Sequence, residues 1–330
     1  MQRKSPSRRD FLQLAASGGL SLGAPGAFAQ ATFPQRPMKV VVPFAPGTGS
    51  DVIARTVAQN IATSTRQPVL VENREGGSGI VGTMAVAQAP ADGYTMLMVA
   101  NPFTIVMGTH ANPPYDALRD FAPVARVANV PIVLTITPGL GIETVQQLVA
   151  YAKANPGKLS YASSGGGTPS QIEMELFKQA AGVDIVEVPY KSSAQAMTDV
   201  IGGQIAMYPA AMPLCLQHVR AGKVRALGLF DSQRSPLLPD VPHFAEALRV
   251  PGYAATPLWY GFVARAGAPR ETMARLRELV LDAMTSAEVK DRLVALGAQP
   301  INPSNEEFTR QMAAEIEKSA RIAKALGITK

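Results

Sequence analysis

The chain of 330 residues has one cysteine, three histidines and one tryptophan. A single cysteine excludes an internal disulfide, and a structural zinc cluster would lack ligands. The histidines, His110, His218 and His243, lie too far apart in the sequence to form a metal-binding pair on one helix. Aromatic residues make up only 6% of the chain, which argues against a nucleic-acid stacking surface or a carbohydrate cleft lined with rings. We therefore expect no metal ion and no other cofactor.

Charged residues are also scarce, at 17% of the chain, whereas hydrophobic residues make up 47%. This composition supplies a large core and argues against bulk disorder. At about 150 residues per domain, the length predicts about two domains. The net charge is +6, but four basic residues and one acidic residue lie within the first ten positions. Without those five residues the charge is +3 and no basic run remains, so a nucleic-acid partner is not expected.

The first 29 residues have the features of an export signal. Ser7–Gln13 is similar to the twin-arginine motif, Phe11–Leu22 is weakly apolar, and Ala27–Ala29 has the small-x-small pattern of a signal-peptidase site. We predict that residues 1–29 are removed near Ala29 and that the protein is periplasmic. The general export route stays open, as does an uncleaved membrane anchor, although a spanning helix needs about 20 strongly apolar residues.

Short apolar runs typical of buried strands alternate with segments of helical periodicity. The predicted strands are Lys39–Phe44, Pro68–Asn73, Tyr94–Ala100, Ile132–Thr137, Lys158–Ser163, Asp184–Tyr190, Gln204–Tyr208, Val224–Phe230 and Trp259–Arg265. The predicted helices are one around Ile53, Val57 and Ile61, and Glu143–Ala154, Pro169–Ala181, Ala194–Ile201, Arg270–Thr285 and Asn305–Leu326. This alternation predicts an α/β protein with parallel sheets. Extended apolar segments near Val127–Pro138 and Thr256–Ala264 predict two crossings between a discontinuous first domain and an inserted second one.

Two glycine-rich loops each follow a predicted strand and precede a predicted helix. The first is Pro43–Asp51, where Ser50 or Asp51 is expected to cap the helix. The second is Tyr161–Pro169, where Thr168–Gln171 has the pattern of a capping box. Free backbone N–H groups and the helix dipole bind anions at such positions. Each loop alone is also compatible with a plain turn, but the pair favours a ligand held between two domains.

Other motifs carry weaker signals. Gly77–Gly82 fits the dinucleotide pattern G-x-G-x-x-G, but Asn101 and Pro102 stand where a nucleotide site needs an acidic residue. We interpret these glycines as allowing close packing of a helix on a sheet. Cys215 and His218 have the spacing of a thiol–imidazole pair on a helix. A small buried apolar cysteine is the interpretation that we prefer.

The first loop and the segments after it resemble the substrate-binding proteins of tripartite tricarboxylate transporters, also called Bug-type receptors. The resemblance begins with Pro43–Asp51, Arg55, Val71–Arg74 and Asp92–Thr95. It continues through Ser163–Gly167, Val188–Lys191, Gly203–Gln204, Gly222–Leu227, Leu238–Pro242, Trp259–Gly261 and Glu306–Phe308. These segments cover nearly the whole mature chain in the family's order.

The resemblance implies a two-lobed, type II-like periplasmic binding protein with two crossover segments and an interdomain cleft. The lobes would be residues 30–131 plus 256–330, and residues 132–255. Members bind small carboxylates without catalysis and deliver them to membrane permease subunits or a sensor; we expect a monomer. The family's ligand-binding residues carry over to Phe44, Thr48, Gly49, Ser50 and Asp51 in the first lobe, and to Ser163, Ser164, Gly166 and Thr168 in the second. Their backbone N–H groups and hydroxyls would hold the ligand carboxylate.

Three departures from the family pattern bear on the ligand. Thr48 replaces the second of two adjacent glycines, and Gln171 stands where a histidine is common. After Gly203-Gln204, where the family often has two aspartates, Ile205–Met212 contains no acidic residue. If that segment borders the pocket, no carboxylate is available to pair with a ligand ammonium. We therefore predict an aliphatic or aromatic carboxylate rather than an amino acid.

Two other functions remain open from the sequence. A ligand-binding co-receptor for a sensor kinase would have the same motifs, because docking on a kinase ectodomain leaves no local sequence signal. An exported enzyme on the same fold is the third possibility, and Cys215 would be its only obvious nucleophile.

Overall fold

The computed structural model describes residues 33–163, 168–190, 192–231, 233–249, 255, 257–295 and 297–327. The predicted export signal with its cleavage site, and Ser164 and Gly166 of the second loop, lie outside these residues. All elements below belong to the unit that spans Arg36–Lys330. Within the described part of this unit, no helix is long and apolar enough to cross a membrane.

Strands and helices alternate along most of the described chain. The strands are β1 Met38–Val42, β2 Val69–Asn73, β3 Thr95–Ala100, β4 Phe121–Val130, β5 Ile132–Ile136, β6 Ser160–Ser163, β7 Val186–Pro189, β8 Met207–Ala211, β9 Arg225–Phe230, β10 Leu258–Arg265 and β11 Gln299–Pro300. The α-helices are α1 Gly49–Thr65, α2 Ile80–Ala87, α3 Pro102–Thr109, α4 Val145–Ala154, α5 Pro169–Ala181, α6 Ser193–Ile201, α7 Met212–Arg220, α8 Phe244–Leu248, α9 Arg270–Thr285, α10 Ala287–Ala295 and α11 Asn305–Leu326. Each predicted strand and helix overlaps one of these elements. The helices α2, α3, α7, α8 and α10 and the strand β11 were not predicted, and β4 was expected only as an extended segment near Val127–Pro138.

The strands form two sheets. The first has the order β11-β4-β10-β3-β1-β2, and the second has the order β7-β6-β8-β5-β9. The strands before Pro131 and those after Pro257 belong to the first sheet, and the strands between them to the second. The chain thus passes from one sheet to the other twice, and the predicted α/β fold class is confirmed.

The prediction of parallel sheets is wrong for the strands that cross between the sheets. Strand β10 is antiparallel to β3 and β4, and β5 is antiparallel to β8 and β9, whereas β1–β2, β1–β3, β6–β7 and β6–β8 are parallel. A parallel neighbour requires a crossover helix that returns the chain to the starting edge. Only Pro131 separates strand β4 from β5. No crossover helix lies between them, so these strands need not run parallel to their neighbours.

Strand β8 begins three residues later than predicted. The N–H groups of Gly202 and Gln204 donate to the carbonyls of Thr198 and Asp199, and Gly203 has a φ of +72°, so a turn at the end of α6 occupies these residues. The strand then continues through Pro209, beyond the predicted end at Tyr208, although it lies between β6 and β5. Proline is unusual in a central strand because it lacks the N–H donor.

Each sheet has its own hydrophobic core. In the first, Trp259, Phe121 and Phe308 belong to one buried cluster, and α11 packs on β4 and α3. In the second, Phe177, Phe230 and Phe244 belong to another, and the ring of Phe244 contacts the other two rings. Since buried apolar area is the main stabilising contribution in folding, two separate cores indicate two lobes that meet where the chain crosses.

Candidate functional site

Thr48 shapes the first glycine-rich loop. It is the N-cap of α1: its hydroxyl accepts from the N–H of Asp51 at 3.4 Å and donates to the carbonyl of Ala45 at 2.8 Å. The expectation that Ser50 or Asp51 caps the helix is therefore wrong. Ser50 is a buried residue within the first turn of α1. The threonine that departs from the family pattern thus supplies the helix cap.

The buried side chain of Asp51 stabilises the first glycine-rich loop through hydrogen bonds. Its carboxylate accepts hydrogen bonds from the N–H of Gly47 at 2.9 Å, from Arg55 at 3.0 Å and from Asn73 at 2.8 Å. Asn73 also donates to the carbonyl of Phe44 at 3.0 Å. Burial by itself would raise the pKa of Asp51, but these hydrogen bonds outweigh it and hold the pKa below its ordinary value. The carboxylate is only 3% exposed and belongs to the loop's scaffold.

The second loop is held by Glu187 of β7. Its carboxylate accepts from the hydroxyl of Ser163 and, at 2.8 Å, from the side-chain amide of Gln171. The predicted capping box at Thr168–Gln171 is therefore wrong, because the Gln171 amide is directed to Glu187 and Thr168 makes no side-chain cap. The Thr168 hydroxyl instead lies 3.1 Å from that of Ser170.

A cavity of about 680 Å³, here called the central cavity, opens between the two sheets. Its strand residues are Val130, Leu258 and Tyr260 from the first sheet and Ile132, Tyr208, Pro209 and Ala211 from the second. Of the residues predicted from the family resemblance, Thr48, Gly49 and Thr168 line it. Phe44, Ser50, Asp51 and Ser163 do not belong to its lining, and Ser163 is fully buried beside Glu187.

The starts of four helices border the central cavity. Gly49 begins α1, Pro169 begins α5, Ser193 begins α6, and Pro213 lies in the first turn of α7. Helix N-termini carry a partial positive charge and unpaired N–H groups. The first turns of α5, α6 and α7 contain no acidic residue, whereas α1 has Asp51 there. The second-sheet helix starts therefore carry no carboxylate of their own, although the carboxylate of Glu187 accepts from Gln171 in the first turn of α5.

None of the described residues that line the central cavity has a charged side chain. The lining residues with hydroxyl groups are Thr48, Thr168, Ser170, Ser193, Tyr208 and Tyr260, and most of the remaining lining is apolar. The arrangement suits an anion whose charge meets helix starts and hydroxyls while its body contacts apolar side chains. Within the described residues, no group of three acidic, histidine or cysteine side chains is placed to hold a metal ion.

Tyr208, Pro209 and Ala211 of the cavity lie in Ile205–Met212, the segment that the sequence analysis considered as a possible border of the pocket. The other strand residues of the cavity, Tyr260 among them, were missed. Tyr260 occupies the unspecified position of the Trp259-x-Gly261 motif, so the family pattern gave no signal there. Pairs such as Leu258 opposite Val130, and Ile132 opposite Ala211, come together only through the register of the crossing strands. An expectation that the crossing segments border the ligand would have pointed to them.

Cys215 is not placed for nucleophilic chemistry. It is fully buried in α7, its thiol contacts the carbonyl of Met212 at 3.6 Å, and desolvation raises its pKa to about 12. The thiolate is the reactive form of cysteine, so this side chain is inert at neutral pH. The structure supports the interpretation of Cys215 as a small buried apolar residue.

The glycines of Gly77–Gly82 permit close packing, as predicted. A Cβ atom on Gly82 would lie 2.8 Å from the carbonyl oxygen of Arg74 and 2.8 Å from the Cβ of Pro43. Only glycine therefore lets α2 approach the end of β1 this closely.

Comparison with known proteins identifies the family. The family model of the tripartite tricarboxylate transporter family receptor matches residues 53–328. The chain is 36% identical over 298 residues to protein BugT of Bordetella pertussis, covering 90% of this chain and 91% of BugT.

Solved structures agree with this match. The periplasmic binding protein BugD superimposes with a TM-score of 0.74 at 29% identity, covering 90% of this chain and 100% of BugD. R. palustris Rpa4515 with adipate superimposes with a TM-score of 0.76 at 33% identity, covering 89% of this chain and 99% of Rpa4515. BugD is described as a periplasmic binding protein, and the matching family model is that of a transporter receptor. From its sequence match and its fold, the chain belongs to the tripartite tricarboxylate transporter family of receptors.

Proposed function

We propose that the chain is a periplasmic receptor that binds a small organic carboxylate in the central cavity and delivers it to the membrane subunits of a tripartite tricarboxylate transporter. The observation that carries this proposal is the meeting of four helix starts at one cavity of about 680 Å³ without a charged side chain in its described lining. Such a cavity attracts an anion through backbone dipoles rather than through Arg or Lys.

The two glycine-rich loops would hold the ligand carboxylate from opposite sides. Thr48 and Gly49 would contact it from α1, and Thr168 from α5, since these residues line the central cavity. Ser164 and Gly166 keep their proposed role as backbone or hydroxyl donors of the second loop. Phe44, Ser50, Asp51 and Ser163 would act indirectly, by fixing the shape of the two loops.

The lobes of the receptor would be residues 30–131 plus 256–330 and residues 132–255. Because ligand contacts come from both lobes, binding would draw them together, with the crossing segments as hinge. Residues 1–29 would be the export signal that places the receptor in the periplasm.

The apolar part of the cavity points to the ligand class. Val130, Ile132, Leu214 and Leu258 line it, and no acidic side chain among the described lining residues could pair with an ammonium group. An unpaired buried ammonium is costly in such surroundings. The ligand is therefore an aliphatic or aromatic carboxylate rather than an amino acid. The relative Rpa4515 is described with adipate, an aliphatic dicarboxylate.

A thermal-melt screen tests the proposed function. The protein is unfolded and refolded to remove carried-over ligand, then melted with about fifty small carboxylates, adipate, malate, hexanoate and benzoate among them. A ligand at about 100 times its Kd stabilises by roughly 2.7 kcal/mol, which should raise the Tm by about 5–10 °C.

The matched control for each acid is its neutral amide, hexanamide for hexanoate and benzamide for benzoate. The amide keeps the shape of the acid but removes the charge, so it should produce no comparable shift. A folded protein whose Tm responds to none of the acids, or equally to acids and amides, would overturn the proposal.

A further inference from the structure

Tyr260 brings a phenol hydroxyl to the central cavity at a position that the family motif leaves unspecified. It lies where the pairing of β10 with β4 is irregular: Tyr260 is opposite Ala128, whereas Gly261 is opposite Arg126. Val127 of β4 therefore has no opposite residue in β10, which is the pattern of a β-bulge. Bulges are common beside binding sites, where they change the direction of a side chain.

The neighbours of Tyr260 anchor β10 on the opposite face. The indole of Trp259 packs against Phe308 and donates to Glu315 at 2.9 Å, and the backbone N–H of Trp259 donates to Asn101 at 3.0 Å. Successive strand side chains point to opposite faces. With Trp259 fixed in the core of the first sheet, Tyr260 is held toward the central cavity.

Gly49 makes room for the Tyr260 hydroxyl at the start of α1. A Cβ atom on residue 49 would lie 2.6 Å from the phenol oxygen and 3.2 Å from Cζ. Its backbone conformation is open to any L-residue, because its φ lies outside the positive range. Glycine is therefore needed here because of Tyr260 and not because of backbone strain.

The Tyr260 hydroxyl has no hydrogen-bond partner among the described residues. Desolvation by burial raises its pKa to about 12. The phenol thus stays protonated at neutral pH and has an O–H donor available at the first turn of α1. Most buried polar groups in proteins have a partner, so an unused donor in the lining of a cavity points to a ligand.

We propose that the Tyr260 hydroxyl donates a hydrogen bond to the bound carboxylate beside Gly49, and so determines which acids the central cavity accepts. This inference rests on the proposed function and adds a specificity-determining side chain to it. The ligand class is an acid whose carboxylate reaches the start of α1, with its body along Leu258 and Val130.

The test compares the wild-type protein with Tyr260→Phe in isothermal titrations with adipate, hexanoate, benzoate and malate. For the acid that binds the wild type best, the variant should bind at least about tenfold more weakly, because a hydrogen bond to a charged group is lost. Its Tm without ligand should stay unchanged, since the hydroxyl supports no described contact. Tyr151→Phe removes the same group from an exposed residue of α4 and should bind as the wild type does.

Gly49→Ala provides a second, independent variant. Alanine at residue 49 must displace the phenol oxygen, so it should weaken binding about as much as Tyr260→Phe does. In the Tyr260→Phe background the phenol oxygen 2.6 Å away is gone, so adding Gly49→Ala should lower the affinity much less than it does in the wild type.

If Tyr260→Phe binds its best acid with the same affinity as the wild type, the role of Tyr260 is overturned while the proposed receptor function stands. Failure of the wild type to bind any of the four acids would instead overturn the proposed function itself, and this inference with it.

Discussion

At the residue scale, side chains outside the central cavity determine the geometry of the loops that border it. Asp51 gathers Gly47, Arg55 and Asn73 around one buried carboxylate. Glu187 accepts hydrogen bonds from Ser163 in the second loop and from Gln171 in the helix that follows it. Hydrogen bonds to ionised groups are stronger than neutral ones, so each loop is fixed by a charge that does not contact the cavity.

Replacing Asp51 with Asn should destabilise the protein by about 1–3 kcal/mol at pH 7, because three hydrogen bonds lose their charged acceptor. The folded pKa of Asp51 lies below its ordinary value of 3.8. Its contribution to stability is therefore complete above pH 3.8 and is lost as the pH falls through the folded pKa. Urea unfolding at pH 7 and pH 3 should show the difference between wild type and variant shrink at the lower pH.

Asp291→Asn is the control for this comparison, since Asp291 is an exposed residue of α10. The control should change stability by less than about 0.5 kcal/mol at either pH. A loss in Asp51→Asn that is equally large at pH 3 and pH 7 would contradict a role for the charge.

At the element scale, one ion pair joins helices that pack on different sheets. Lys318 of α11 donates to Glu173 of α5 at 2.8 Å, and the two side chains are only 14% and 2% exposed. Helix α11 packs on β4 of the first sheet, and α5 packs on β8 of the second. The start of α5 borders the central cavity, so this pair connects the helix after the second glycine-rich loop to a helix of the first sheet.

Lys318→Ala should destabilise the protein by about 3–5 kcal/mol, because it leaves the Glu173 carboxylate buried without its lysine. The double variant Lys318→Met/Glu173→Leu should recover most of that loss, since apolar side chains of similar volume need no charged partner. Urea unfolding of the wild type, the single variant and the double variant measures the loss of stability and its recovery.

The matched control is Arg275→Ala, which breaks the exposed pair with Glu278 on α9. Exposed ion pairs contribute about 0–1 kcal/mol, so its effect should be small. If Lys318→Ala costs no more than this control, the pair does not hold the two lobes together.

At the scale of the whole molecule, the cavity exists because two lobes with separate cores bring helix starts and crossing strands together. The polar groups come from the helix starts, and the apolar floor comes from β4, β5, β8 and β10. A ligand that matches both must carry a negative charge at one end and apolar surface elsewhere.

Hexanoate and norleucine test this combination, because norleucine is hexanoate with an added ammonium group. The described lining offers no carboxylate to that group, so norleucine should bind at least about tenfold more weakly than hexanoate, a difference of roughly 1.4 kcal/mol. Competition between the two in a thermal melt measures the preference. Equal or tighter binding of norleucine would contradict the predicted ligand class.

The sequence by itself determined the fold class, the two loops and the family, because these depend on local patterns. Strand and helix periodicity extends over ten or more residues, and the glycines and caps lie within a few positions of each other. The Ser304-x-x-Glu307 pattern, which forms a capping box at the start of α11, is also confined to a few neighbouring positions. The sequence also singled out Thr48 as a departure, without showing that it caps α1.

Only the tertiary structure decided which of these residues border the cavity. Tyr260 and Gly49 lie far apart in the sequence, and so do Ser163 and Glu187, and each pair meets through strand order and register. Side-chain burial depends on every neighbouring element at once, so a motif cannot show whether Ser163 turns toward the ligand or toward Glu187. The antiparallel crossing strands likewise follow from the return of the chain between two cores, which no local pattern encodes.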